Sequence, residues 1–99
     1  MIRTLRNLPA ASEEFAAAVQ WYELQRPGLG ADFFDAIAAT TAQIQDHPEI
    51  GVPISSDERT RRAFVSRFPY QVVYRLIGDE IVIVAIAHLK RRPGYWKDR

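Results

Sequence analysis

The chain has 99 residues, a length that predicts a single domain, 1–99, with one modest core. Apolar residues make up 47% and charged residues 25%, a globular composition that argues against disorder. A net charge of +1 excludes a uniformly basic nucleic-acid wrapper, and the absence of cysteine excludes disulfides and thiolate chemistry. Residues 1–6 do not predict a secretory signal, and the longest apolar run, residues 81–87, is too short to span a membrane. We therefore expect a cytoplasmic protein.

Residues 1–7 predict a short strand, although apolar and polar residues alternate poorly along them. Ser12 is a suitable helix N-cap, because the acidic residues that follow it lie where the helix dipole favours negative charge. Apolar residues then recur at helical spacing and predict one buried stripe, formed by Phe15, Ala18, Val19 and Tyr22. Arg26-Pro27-Gly28 should end this helix.

A second helix is predicted from about Ala31 to Asp46, and His47-Pro48 should end it. Its inner face is predicted to comprise Phe33, Ile37, Thr40 and Ile44, with Phe34 and Ala38 widening it. Because a short loop joins the two helices, they should pack as an antiparallel hairpin.

In the second half, the spacing of apolar residues changes from a period of 3.6 to a period of 2, which predicts strands. Residues 51–58 read as a loop, and strands are predicted over 61–67, 70–77 and 81–88. Gly78-Asp79 predicts a tight turn between the last two. The last strand lacks alternation, so both of its faces should be covered, one of them by the helical hairpin.

Charge is divided unevenly along the chain. Residues 1–50 carry three basic and seven acidic side chains, a net charge of −4, whereas residues 51–99 carry ten and five, a net charge of +5. A polyanionic partner should therefore contact the second half, unless the asymmetry is accidental.

A basic cluster lies on or beside the predicted strand 61–67 and consists of Arg59, Arg61, Arg62 and Arg67. Positions 59, 61 and 67 share one parity, so these three side chains could point to one face. Arginine binds phosphate bidentately and keeps its charge, as contact with a nucleic-acid backbone requires. A solvated sheet edge that resists aggregation is the alternative.

A second group of residues capable of chemistry follows the last strand. His88 ends that strand, and the tail then supplies Lys90, Arg91, Arg92, Tyr95 and Trp96. A histidine near arginines and a tyrosine could transfer protons in phosphodiester cleavage while the arginines stabilise charge on phosphorus. The alternatives are a structural His88 and a Tyr95-Trp96 pair that anchors the tail on the core.

Neither a metal nor a cofactor is predicted. The only histidines, His47 and His88, lie on different elements without a carboxylate at ligand spacing, and His47 suits a helix C-terminus. Gly28-Leu29-Gly30 follows a helix and lacks the remaining residues of a phosphate-binding loop, so we expect a plain connection.

Several motifs occur together along the chain. They are Arg61-Arg62, the segments 68–75 and 81–88, and Arg91-Arg92-Pro93-Gly94-Tyr95-Trp96 with Arg99, preceded by 18–23, 27–33 and His47-Pro48. In this combination the chain resembles the RelE/ParE superfamily of toxins from bacterial type II toxin–antitoxin systems. The resemblance implies an α+β fold in which an N-terminal helical hairpin packs on a small, twisted, mainly antiparallel sheet, as the periodicity also predicts.

The resemblance implies one of two activities. One branch resembles ribosome-dependent endoribonucleases that cut mRNA, for which Arg61, Arg67, His88 and Tyr95 would be the catalytic residues, with Arg62 beside them. The ParE-like branch acts on DNA gyrase, stalls replication and serves plasmid stabilisation. Lysine occurs only at positions 90 and 97, so the middle strands lack the lysine that the nuclease branch sometimes uses. The Phe-Pro-Tyr and Arg-Arg-Pro-Gly-Tyr-Trp patterns are more similar to ParE-like members.

Growth inhibition through DNA gyrase is therefore the expected function, with mRNA cleavage on the ribosome and an inactive interaction partner as alternatives. Whether the chain is an enzyme stays open. The expected target- or nucleic-acid-binding residues are Arg59, Arg61, Arg62, Arg67, Lys90, Arg91, Arg92, Tyr95 and Trp96.

The resemblance also implies a cognate antitoxin and a toxin–antitoxin hetero-oligomer. We expect a largely disordered antitoxin segment that folds on the toxin, as a helix in a groove or as a strand at the sheet edge. Trp21 and Trp96 are candidate anchors for it, although Trp21 could instead be buried. No membrane partner is expected.

Overall fold

The computed structural model describes residues 3–54 and 57–99. The elements in chain order are β1 Thr4–Asn7, α1 Pro9–Gln25, α2 Leu29–Asp46, β2 Val52–Ile54, β3 Asp57–Phe64, β4 Tyr70–Ile77 and β5 Glu80–His88. The strands form a five-stranded sheet in the order β1-β5-β4-β3-β2, in which β1 runs parallel to β5 and the other neighbours are antiparallel. The predicted fold class, a helical hairpin on a mainly antiparallel sheet, is confirmed. Residues 1 and 2 of the predicted first strand, and serines 55 and 56 of the predicted loop, lie outside the described residues.

Helix α1 begins earlier than the sequence predicts. Its N-cap is Leu8, and Pro9 occupies the first helical position, where the missing N–H has no intrahelical partner to lose. The Ser12 N–H already donates to the Leu8 carbonyl at 3.0 Å, so the prediction of Ser12 as the N-cap was wrong. Glu14 consequently lies beyond the first turn, where it reaches the sheet.

The predicted stripes of both helices meet the sheet. Ala18 of α1 is buried, with the other three stripe residues packed around the same cluster, and the predicted inner face of α2 is buried throughout. Phe33 is fully buried, with its ring centroid 5.0 Å from that of Tyr22 and 4.9 Å from that of Tyr70. Phe34 is 51% exposed, so it does not widen this face but borders an apolar groove of 180 Å³ between α1, α2 and β1. Helix α2 begins at Leu29, two positions before the predicted start, and its C-cap is His47, as expected.

Both faces of β5 are covered, as its unbroken apolar composition predicts. Residues 81, 83 and 86 pack into the cluster under the helices, whereas Val82, Val84, Ala85 and Ala87 form a second cluster on the opposite face with Trp96. The β4–β5 register shifts beside Val84, which lets this strand bury consecutive residues on one face. The C-terminal tail therefore closes the face that the helices leave open.

Strand β3 is displaced from the prediction. It ends at Phe64 rather than at residue 67, and the predicted loop before it contains a further strand, β2, that pairs with β3. Pro53 is tolerated in β2 because an edge strand does not need every N–H for the sheet. Arg67 lies in the turn between β3 and β4 with a φ of +74°. Gly78, with a φ of +58°, lies in the predicted turn between β4 and β5.

Candidate interaction surface

Strand alternation separates the two adjacent arginines of β3. Arg61 pairs with Tyr74 and lies on the helix side of the sheet, where its Nη1 donates to the carbonyls of Glu49, at 3.0 Å, and Gly51, at 2.8 Å. Arg62 lies on the opposite face. Arg61 therefore braces the connection between α2 and β2, and the predicted alignment of positions 59, 61 and 67 on one strand face was wrong because β3 ends before residue 67.

A different arginine, Arg75, holds the tail against the sheet. Its Nε donates to Thr60 Oγ1 at 3.1 Å, and its two terminal nitrogens donate to the backbone oxygens of Arg99, at 2.8 Å, and Lys97, at 3.3 Å. Three directed bonds from one planar group leave the tail little freedom. The sequence pattern did not single out Arg75, because a lone cation in an apolar strand carries no sign of its partners.

Glu14 is the centre of a second set of tail contacts. Its carboxylate accepts hydrogen bonds from Tyr95 Oη at 2.6 Å, from Arg99 Nη1 at 2.9 Å and Nη2 at 3.1 Å, and from the Ile86 N–H at 3.1 Å. Arg99 also donates to the Val84 carbonyl at 3.1 Å. Since β1 pairs with β5 only as far as residue 83, these side chains satisfy the β5 edge beyond the end of β1.

The same contacts determine the state of Tyr95. Burial raises the pKa of its phenol, and the hydrogen bond to the Glu14 carboxylate raises that pKa further. The guanidinium carbon of Arg91 lies 4.0 Å from the centre of its ring. Tyr95 is therefore held as a neutral donor to Glu14, an arrangement that suits a structural role and opposes its use as a proton acceptor.

Arg61, one of the nuclease candidates, does not lie beside Tyr95. Tyr95 lies at the β5 edge, whereas Arg61 lies on β3, on the other side of β4. His88 Nδ1 accepts the Lys90 N–H at 3.0 Å, and the imidazole packs edge-on against Tyr70 at 5.1 Å between ring centroids. Strands β5 and β4 thus lie between Tyr95 and Arg61, and the two side chains are engaged with different partners.

Several of the predicted basic residues do lie together at one end of the sheet. The Leu89 N–H donates to the Pro69 carbonyl at 2.9 Å, which places the start of the tail beside the β3–β4 turn. We call this region the basic end, and its exposed residues are Arg67, Lys90, Arg91 and Arg92. The Arg67 backbone is strained, because a left-handed φ costs a residue other than glycine roughly 1–2 kcal/mol.

The two tryptophans have opposite environments. Trp96 is 8% exposed and packs in the second core cluster, so it anchors the tail on the core and offers no free surface to a partner. Trp21 is 56% exposed, and Leu24, one turn along α1, is 84% exposed. Of the two predicted antitoxin anchors, Trp21 alone is accessible.

Glu14 was missed by the sequence analysis, although a signal exists. It precedes Ala18 by four residues and Tyr22 by eight, so it lies on the apolar stripe of α1. A carboxylate at such a position must find donors when the stripe packs. In the described ranges 3–54 and 57–99, no group of three or more potential metal ligands occurs, and no helix is long and apolar enough to cross a membrane.

This fold, a two-helix hairpin on a mainly antiparallel sheet, together with a family match, places the chain among the RelE/ParE-type toxins. Residues 5–93 match the model of the family described as the ParE toxin of type II toxin–antitoxin systems, parDE. The chain belongs to this family.

Two solved structures share the fold. One is the chromosomal ParDE toxin–antitoxin system from P. aeruginosa, with a TM-score of 0.76 and 20% identity over 88% of this chain and 96% of that one. The other is the RelBE2 toxin–antitoxin complex from Mycobacterium tuberculosis, with a TM-score of 0.60 and 16% identity over 89% of this chain and 92% of that one. No curated protein sequence matches the chain significantly.

Proposed function

We propose that this chain acts in the cytoplasm as a toxin that binds DNA gyrase and inhibits growth, and that a cognate antitoxin neutralises it. The observation that carries the proposal is the match of residues 5–93 to the ParE toxin family. Binding is favoured over catalysis, because Tyr95 is engaged as a donor to Glu14 and Arg61 as a donor to backbone carbonyls. Proton transfer on RNA would require groups that are free to exchange protons.

The basic end is the proposed target-binding surface. None of its four cations forms an ion pair with a described residue, and all four are exposed, although Arg91 also packs over the Tyr95 ring. Such a surface accelerates association with an anionic partner and aligns it. The exposed side chain of Leu89 lies within it and provides an apolar contact.

A supercoiling assay with purified gyrase tests this proposal. The native chain should inhibit supercoiling and accumulate cleaved DNA. A combined Arg67→Asn, Lys90→Ala and Arg92→Ala variant should require a roughly tenfold or higher concentration, because it removes three exposed cations and asparagine tolerates a positive φ. Arg26→Ala is the matched control, since this exposed arginine lies in the α1–α2 loop.

Three results would contradict parts of the proposal. Unchanged gyrase activity with the native chain would refute gyrase as the target. Equal potency of the triple variant and of Arg26→Ala would refute the basic end as the binding surface. Cleavage of message by programmed ribosomes would instead make the chain an endoribonuclease, and normal growth on expression without antitoxin would indicate an inactive member.

The proposed antitoxin contact includes the exposed face of α1 at Trp21 and Leu24. Exposed aromatic and aliphatic side chains one turn apart can anchor a segment that folds on binding. Co-expression with the product of the adjacent reading frame should yield a complex on affinity purification. Trp21→Ala should weaken that complex tenfold or more, whereas Gln20→Ala, at the neighbouring exposed position, should not. Equal binding by the two variants would exclude this face.

A further inference from the structure

A cavity lies on the sheet face opposite the helices. Its floor is formed by β3 and β4, one wall by β2 and the other by the C-terminal tail, and its volume is 510 Å³. Cavities that bind small molecules typically enclose about 300–1,000 Å³. The cavity shares no described lining residue with the basic end, so binding of a ligand in it can be tested independently of gyrase.

The cavity is cationic. Arg62, Arg75 and Lys97 line it, and no Asp or Glu occurs among its described lining residues. Arg75 is fixed in place by its bonds to Thr60 and to the tail backbone, while Arg62 and Lys97 belong to the exposed residues of the chain. One fixed and two exposed cations around a concave surface are suited to a phosphate group, which guanidinium and ammonium donors bind together.

The other lining residues suit a ligand that carries an apolar ring and a hydrogen-bond donor. Pro53, Ile54 and Pro93 supply accessible apolar surface, and the largely buried indole of Trp96 lies at the cavity wall. Gln71 also lines the cavity, and its Oε1 is buried without a hydrogen-bond partner among the described residues. Rotation about the last bond of the side chain exchanges its oxygen with its nitrogen, so the unsatisfied acceptor can turn toward a ligand that offers an N–H or O–H.

From this arrangement we infer that the cavity binds a free nucleoside phosphate. The phosphate would contact Arg62, Arg75 and Lys97. The base would lie against Pro53, Ile54 and Pro93, and Gln71 would accept a hydrogen bond from the base or the ribose. No bond is made or broken in this step. A purely anionic ligand would leave the Gln71 oxygen unsatisfied, and a purely apolar one would leave the exposed cations Arg62 and Lys97 without an anionic partner.

Fluorescence titration of the Trp21→Phe variant tests the inference, because Trp96 is then its single tryptophan. AMP should bind saturably and at least tenfold more tightly than either inorganic phosphate or adenosine. Arg62→Ala and Lys97→Ala should each weaken AMP binding roughly three- to tenfold. Arg26→Ala should leave AMP binding unchanged.

The Gln71→Leu variant tests the contribution of the Gln71 oxygen independently of the three cations. This variant removes an unsatisfied oxygen and should fold with unchanged or higher thermal stability, while AMP binding should fall to the level of inorganic phosphate. Equal affinity for AMP and phosphate in the native chain would overturn the inference, as would undiminished AMP binding by Gln71→Leu. Saturable binding of a single-stranded oligonucleotide without binding of AMP would also overturn it and would assign the cavity to nucleic acid.

Discussion

The hydrogen bonds of Glu14 predict that Glu14→Gln loosens the tail and lowers stability. Glutamine keeps one oxygen to accept the Ile86 N–H, but it replaces the other by an NH₂ that opposes the Arg99 guanidinium. The side chains of Arg99 and Glu14 are 23% and 17% exposed, so solvent screens their ion pair only partly. Losing hydrogen bonds between these charged groups should cost about 2 kcal/mol. For a domain of this length, that cost corresponds to a fall in melting temperature of roughly 8–16 °C.

Urea denaturation and amide hydrogen exchange would measure this effect. The Ile86 N–H should exchange faster than in the native chain, because its acceptor is held less firmly. Glu13→Gln is the matched control, since this neighbouring carboxylate is exposed and should change stability by less than about 0.5 kcal/mol. A double-mutant cycle with Arg99→Gln should give a coupling of about 1–2 kcal/mol between the two side chains.

Two results would refute this reasoning. If Glu14→Gln and Glu13→Gln had equal stability, the Glu14 carboxylate would not hold the tail. If the cycle with Arg99→Gln gave additive effects, the contact between Glu14 and Arg99 would contribute nothing to folding, whatever its distance.

Three further predictions concern the tyrosines and the strained turn. The pKa of Tyr95 is raised above its ordinary value, so the folded state retains a proton that the unfolded state releases. Stability should therefore hold below pH of about 10 and decline as the pH rises toward the folded pKa, with a smaller decline in Tyr95→Phe; melting temperatures that fall equally in both would contradict this. Tyr74→Phe should lower the free energy of unfolding in urea by about 1–3 kcal/mol, because the Tyr74 hydroxyl donates to the Pro48 carbonyl and accepts the Gly51 N–H. Tyr70→Phe should change it by less than about 0.5 kcal/mol, and equal effects would disprove the role of the Tyr74 hydroxyl. Arg67→Gly should relieve the positive φ and raise stability by up to about 1 kcal/mol while weakening gyrase inhibition; full inhibition would remove Arg67 from the binding surface.

The parts of the fold that the sequence predicted correctly depend on neighbours along the chain. The bounds of β4, the inner face of α2 and the two-sided burial of β5 follow from the period and composition of short segments. The start of α1 was missed because Ser12 is a good N-cap in isolation. Pro9, three residues earlier, fits the first helical position equally well, and the helix begins there. Strand β2 was missed because proline and glycine around it resemble a loop, and pairing with β3 is what orders it.

The same distinction between neighbours along the chain and distant contacts applies to the candidate site. The order of residues is enough to place most of the cations in the second half and an aromatic, basic tail after the last strand. Which of these residues face solvent depends on how distant segments pack: Arg61 lies toward the helices, Trp96 is buried in the core, and Arg67 lies with the start of the tail. Glu14 meets partners 72 to 85 residues away, and no local pattern encodes which donors will satisfy a carboxylate once distant segments pack together.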